Sequence, residues 1–254
     1  MKKLFTLLAL TISFSMNAQT ANTSTGTEAL NSNTTGTYNT ASGYQSLYFN
    51  TTGSNNTASG AYSLYSNTTG YSNNASGIGA LYSNTTGANN TASGSYSLFY
   101  NTIGTRNTAV GYQALNDNVS GGQNGAFGYD ALKNNTSGTL NNAFGHEALF
   151  SNETGQYNSA FGHEALKSNT GSNNTAFGMR ALKPNTSGSN NTALGYFAKA
   201  SAGDATNQTV LGYTAIGQTD NSVTLGNADV TAVYMGQDSG AKVYAGEGSF
   251  TGDV

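Results

Sequence analysis

The chain has 254 residues, 9 of them basic, 12 acidic and none cysteine, and only 8% are charged, against about 25% in an ordinary globular domain. No disulfide braces it and no thiolate zinc site can form, and a net charge of −3 without a basic cluster is a poor match for nucleic acid or an anionic membrane. From Ala29 to Thr105 there is no Asp, Glu, Lys, Arg, His or Cys, so nearly a third of the chain lacks the side chains that general acid–base and nucleophilic catalysis draw on. The expectation is a protein that is not an enzyme and uses no cofactor.

Residues 1–18 read as a secretory signal peptide: Lys2 and Lys3, the apolar stretch Leu4 to Ile12, then small residues around Ala18. The apolar stretch falls short of the roughly 20 residues that span a bilayer, so no membrane span is expected in the mature chain. Removing Lys2 and Lys3 takes the basic count from 9 to 7 against 12 acidic residues, a formal charge of −5. The localisation that follows is secreted or at the cell surface.

Residues 19–226 are built on one repeating glycine: Gly26, Gly43, Gly60, Gly77, Gly94, Gly111, Gly128, Gly145, Gly162, Gly178, Gly195, Gly212 and Gly226. Eight successive steps are 17 residues, and the last four are 16, 17, 17 and 14. Units this short cannot fold alone and bury their apolar side only by stacking on neighbours, the mark of a solenoid. Low charge and abundant Asn, Ser, Thr and Gly also fit a disordered chain, but disorder does not account for Leu and Tyr at fixed register.

Most units have an Asn four residues before the glycine (Asn39, Asn56, Asn73 and onward to Asn191), an Ala two before it (Ala41, Ala58, Ala75 and onward to Ala193) and a Leu four after it (Leu47, Leu64, Leu81 and onward to Leu182). A turn such as Asn50-Thr51-Thr52-Gly53 follows. Short alternating segments between Asn/Gly turns call for strands, since no 3.6-residue apolar period survives. The fold class expected is all-β, a solenoid of 12–13 turns, each with two short strands, with Asn and Leu ladders repeating about every 4.8 Å over a rod of about 55–60 Å. One Leu per turn supplies about 1.5–3 kcal/mol of burial against about 1–2 kcal/mol of ordering for each residue, so a lone coil looks marginal and a partner surface is expected.

Alternation places the residue before the glycine on the face opposite the Ala. That residue is Ser42, Ser59, Ser76 and Ser93, and then Val110, Phe127, Phe144, Phe161, Phe177, Leu194, Leu211 and Leu225. The apolar run is the expected self-association interface, with filling of a wider coil interior as the competing reading.

The pattern Asn221-Ser222-Val223-Thr224-Leu225-Gly226 resembles the head repeat of YadA-like trimeric autotransporter adhesins, units written Asn-Ser-Val-Ala-Ile-Gly at about this spacing. Asn207 to Gly212 and Asn173 to Gly178 are looser matches, and the resemblance runs from about Asn22 to Gly226. It implies a left-handed parallel β-roll, a homotrimer and an adhesive role on the outer surface of a bacterial cell. The 17-residue unit and its enlarged Asn-Thr-Thr-Gly loop depart from the shorter family unit. Residues 227–254 form a short tail in which Val233 to Gly236 and Val243 to Gly246 look like the junction before an endosialidase-type intramolecular chaperone domain. No heptad run or series of barrel strands is read after Gly226, so the means of anchoring is left open.

Candidate site residues are few. His146 and His163, with Glu147 and Glu164, occupy equivalent positions in adjacent turns, so their imidazoles should stack about 5 Å apart. A divalent metal is conceivable there, against the plainer reading of a solvated ladder. Tyr48, Tyr65, Tyr82 and Phe99 share one register and form a candidate binding surface for an extracellular protein or glycan, against cross-rung stacking that only stabilises the roll. An ice-binding or other surface-binding solenoid is the second class, suggested by Thr51-Thr52, Thr68-Thr69 and Thr85-Thr86. Those pairs sit in turns where successive side chains diverge, so they make no flat Thr-x-Thr face. A purely structural spacer is the third reading.

Overall fold

The computed structural model describes residues 21–231 and 233. The signal segment 1–18 and the tail motif Val243 to Gly246 lie outside these, as does most of Val233 to Gly236. Thirteen strands, β1 (Thr23–Thr25) to β13 (Ser222–Leu225), form one parallel sheet whose spatial order is the order of the chain. Each register glycine follows its strand directly, and neighbouring strands pair at equivalent repeat positions, as in Ala41 with Ala58 and Ser42 with Ser59. The 14-residue final step keeps the register, pairing Gln208 with Ser222 and Leu211 with Leu225. The chain is a parallel β-solenoid.

Only one strand of three or four residues occurs per turn, not the two expected. The Leu segment still bonds from rung to rung, with the Leu47 amide donating to the Ser63 carbonyl and the Phe49 amide to the Tyr65 carbonyl, both at 3.0 Å. It is not extended, because Gln45 and Leu47 have φ of 52° and 50°, and the pattern recurs at Tyr62 and Leu64 and at Tyr96 and Leu98. Left-handed backbone at every second residue bends the segment into a succession of turns. Such conformations cost an L-residue about 1–2 kcal/mol each, and the inter-rung hydrogen bonds and the inward aim of the Leu offset that cost.

The interior is thin. Ala41, Ala58, Ala75 and their equivalents line one wall, and Leu47, Leu64, Leu81, Leu98, Leu115, Leu132, Leu149, Leu166 and Leu182 form a fully buried column opposite. Asparagine completes the core in two ladders. Asn67 Nδ2 donates to Asn50 Oδ1 at 2.7 Å and to the Gly70 carbonyl at 3.0 Å. In the other ladder, Asn56 Oδ1 accepts from the Asn73 amide at 3.0 Å while its Nδ2 donates to the Gly70 carbonyl at 2.9 Å. Buried amides are tolerated because each rung supplies the partner the previous one needs.

The register glycine is required by contact as well as by φ. A Cβ on Gly94, whose φ is +139°, would lie 2.4 Å from the Gly111 carbonyl oxygen, a backbone atom that the ladder holds in place. Among the described residues no helix is long and apolar enough to cross a membrane.

Candidate binding faces

The sheet turns one face inward and one outward. From Thr40–Ser42 to Thr192–Leu194 the alanine at the centre of each strand is buried, and the residues on either side of it point out, as in Thr40-Ala41-Ser42 and Thr57-Ala58-Ser59. The outward face therefore has two columns, and they change character halfway along the rod.

Over β1 to β5 (Thr91–Ser93) the columns are Thr23, Thr40, Thr57, Asn74 and Thr91 beside Thr25, Ser42, Ser59, Ser76 and Ser93. The Thr pairs of the turns do diverge: Thr51 Oγ1 folds back onto the Thr68 carbonyl at 3.0 Å, whereas Thr52 is exposed. Hydroxyls also recur on the strands themselves, as Thr-Ala-Ser at 40–42, 57–59 and 91–93, with Asn74 interrupting the first column.

From β6 (Thr108–Val110) onward the second column becomes apolar. Val110, Phe144, Phe177, Leu194 and Leu225 are exposed, Phe177 at 57%, and Phe127, Phe161 and Leu211 are half-buried. These side chains lie outside the coil and do not fill a wider interior. The phenylalanines stack on one another, with centroids 4.5 Å apart for Phe127 and Phe144 and 4.8 Å for Phe144 and Phe161, and planes within 6°.

A second aromatic column flanks the register glycine on its other side. Tyr112, Tyr129, His146 and His163 stack at 5.2, 5.2 and 5.0 Å, so the two imidazoles sit at the expected separation. Their neighbouring carboxylates are engaged elsewhere. Glu164, with a side chain only 9% exposed, accepts from Arg180 Nε at 2.7 Å, Lys183 Nζ at 2.8 Å and Lys167 Nζ at 3.1 Å. Lys167 also reaches Glu147 at 2.8 Å. The Lys183 ammonium, helped by Arg180 and Lys167, holds the Glu164 carboxyl well below the usual carboxylate range against the opposing effect of burial. Lys167 is pushed up, chiefly by its bond to Glu147. His163 Nδ1 is 3.8 Å from Glu164 Oε2 and His146 Nδ1 3.5 Å from Glu147 Oε2. This is a cation–carboxylate network, and a metal ion would have to displace ammonium groups to use it.

Tyr48, Tyr65, Tyr82 and Phe99 form a third column, half-buried, with centroids 5.5, 5.0 and 4.8 Å apart and planes within 19°. Each ring covers the face of the next, so the column offers outward edges. The cross-rung stacking expected at this register is present, with the ring rims half-exposed.

Compared with protein-family models and with curated sequences, the chain matches none.

Proposed function

We propose that the protein is a secreted, surface-exposed fibre or adhesin head, not an enzyme and without a cofactor, in which three copies associate along the apolar half of the outward face. The left-handed sense and the threefold axis come from the resemblance to YadA-like head repeats. The observation that carries the reading is the two-zone face: exposed Val, Phe and Leu from β6 to β13 continue a column that is Thr or Ser from β1 to β5. An apolar stripe this long on a monomer marks an interaction surface. A hydroxyl-bearing half that continues the same column suits display to an extracellular protein or glycan. Residues 19–254 immobilised on beads should retain a component of a panel of matrix proteins or of a glycan array, saturably and at physiological salt. If every panel member fails to bind, the reading reduces to a structural spacer.

A second reading has a specific observation behind it. The outward columns of β1 to β5 carry a hydroxyl at every position but Asn74, the kind of repetitive surface an ice-binding solenoid would use. Thermal hysteresis in solution would support it, and ordinary colligative freezing would remove it.

A further inference from the structure

One residue breaks an otherwise filled column. Two positions after the register glycine the chain carries Gln45, Tyr62, Gly79, Tyr96 and Gln113 in successive rungs, with φ of 52°, 60°, 65°, 60° and 52°. Four of these five adopt the left-handed backbone with a full side chain, so the backbone does not impose glycine at Gly79. What Gly79 contributes is a missing side chain. A Cβ there would meet Phe99 Cε2 at 3.1 Å and Tyr96 Cδ1 at 3.2 Å, so the neighbouring rings close in on the backbone but leave an open recess of about 400 Å³, lined by Tyr62, Ile78, Gly79, Tyr82, Tyr96 and Phe99.

The recess combines stacked and edge-on rings: Tyr82 lies against Phe99 at 7°. Tyr62 and Tyr96 are set at 60° to Tyr82 and Phe99 respectively. They stand two rungs apart, roughly 9.6 Å at the usual strand spacing, and the rung between contributes Ile78 and Tyr82 to the lining but no side chain at Gly79. The recess lies inside the interval from Ala29 to Thr105 that has no charged residue or histidine. An ionic ligand would lose hydration there without gaining a counter-charge.

We propose that this recess binds one pyranose ring of a neutral glycan. A pyranose presents apolar C–H faces and hydroxyl edges, and the recess is lined by aromatic rings, three of them tyrosines whose phenols are hydrogen-bonding groups. Its volume is in the range of small-ligand sites. The inference deepens the reading of the protein as a display surface and names the ligand class at one place on it.

The chain has no tryptophan, so its intrinsic fluorescence comes from tyrosine and can report a ring covered by a ligand. Residues 19–254 would be titrated with cellopentaose and chitopentaose, alongside Gly79→Gln, which places in the recess the residue found at Gln45 and Gln113. The expected result is a saturable tyrosine signal that weakens by at least about tenfold in Kd in the variant. Tyr96→Leu, which removes a wall and leaves Gly79 in place, should show a comparable loss if Gly79→Gln fails to fold. No saturable change with either oligosaccharide, equal affinity in wild type and a folded variant, or a tighter saturable response to a tyrosine-containing tripeptide would overturn the proposal. Retention on the matrix panel together with no saturable oligosaccharide response would leave the display function standing while this site falls.

Discussion

Buried asparagine sets the terms at the scale of the residue. Asn101 donates to Asn84 Oδ1 at 2.8 Å and to the Gly104 carbonyl at 3.2 Å, while its own Oδ1 accepts from Asn118 at 2.7 Å. Asn101→Asp removes both donations and buries a charge. The unsatisfied groups cost about 1–3 kcal/mol, and more where one is charged, so the urea midpoint should fall clearly and fall further above the carboxyl pKa than below it. Leu98→Ala, in the apolar column, should cost about 2–5 kcal/mol by the same measurement. The Asn and Leu ladders were both legible from spacing alone, because a solenoid converts sequence period directly into vertical stacking. The left-handed φ of Leu47, Leu64 and Leu98 was not. A bulky residue rarely adopts it, and only the bonds from neighbouring rungs, invisible within one repeat, make it tolerable.

The rung is the relevant element, and its register glycine is its least replaceable part. Gly94→Ala would drive a Cβ into the Gly111 carbonyl, whereas Gly79→Ala meets only side chains in a conformation that Tyr62 and Tyr96 already adopt. The first should abolish or severely weaken folding, and the second should lower the thermal midpoint by only a few degrees, in line with the about 1–2 kcal/mol that left-handed backbone costs an L-residue. Single-strand rungs replaced the expected pair because hydrogen bonding between rungs does not require extended backbone. The Thr-x-Ser face, likewise, was present in the sequence as Thr-Ala-Ser but was overshadowed by the more conspicuous Thr-Thr turns. Across neighbouring rungs, the Glu164 network makes stability depend on pH. A carboxyl held low in the fold contributes stability above its unfolded pKa of about 4.3, and this is lost as pH falls through that value toward the folded one. The thermal midpoint should therefore drop on acidification below about pH 5, and Glu164→Gln should flatten that slope. Lys167, pushed up by Glu147, contributes in the opposite sense: its part is complete below the ordinary lysine range and is lost only as pH rises through its raised value.

Stability of the whole molecule is shared between neighbours in a one-dimensional stack, so no rung is stable alone and the exposed surface is repetitive by construction. The apolar half of the outward face is the part of that surface that water tolerates least. Its position was readable from alternation around the buried Ala, and the structure places Phe144, Phe177 and Leu194 in solvent as that alternation requires. The number of copies in the proposed assembly is not encoded by strand alternation within one chain. Replacing Phe144 and Phe161 with Glu should dissociate the assembly while leaving the rungs folded, since neither ring lies inside the coil.

The absolute molar mass of residues 19–254, measured by light scattering with far-ultraviolet circular dichroism on the same sample, tests the central claim most directly. A β-rich species at three times the chain mass, reduced to one chain mass by the Phe144→Glu and Phe161→Glu double substitution, is the expected result. A well-folded wild-type monomer, stable with its phenylalanine stripe in water, would contradict it.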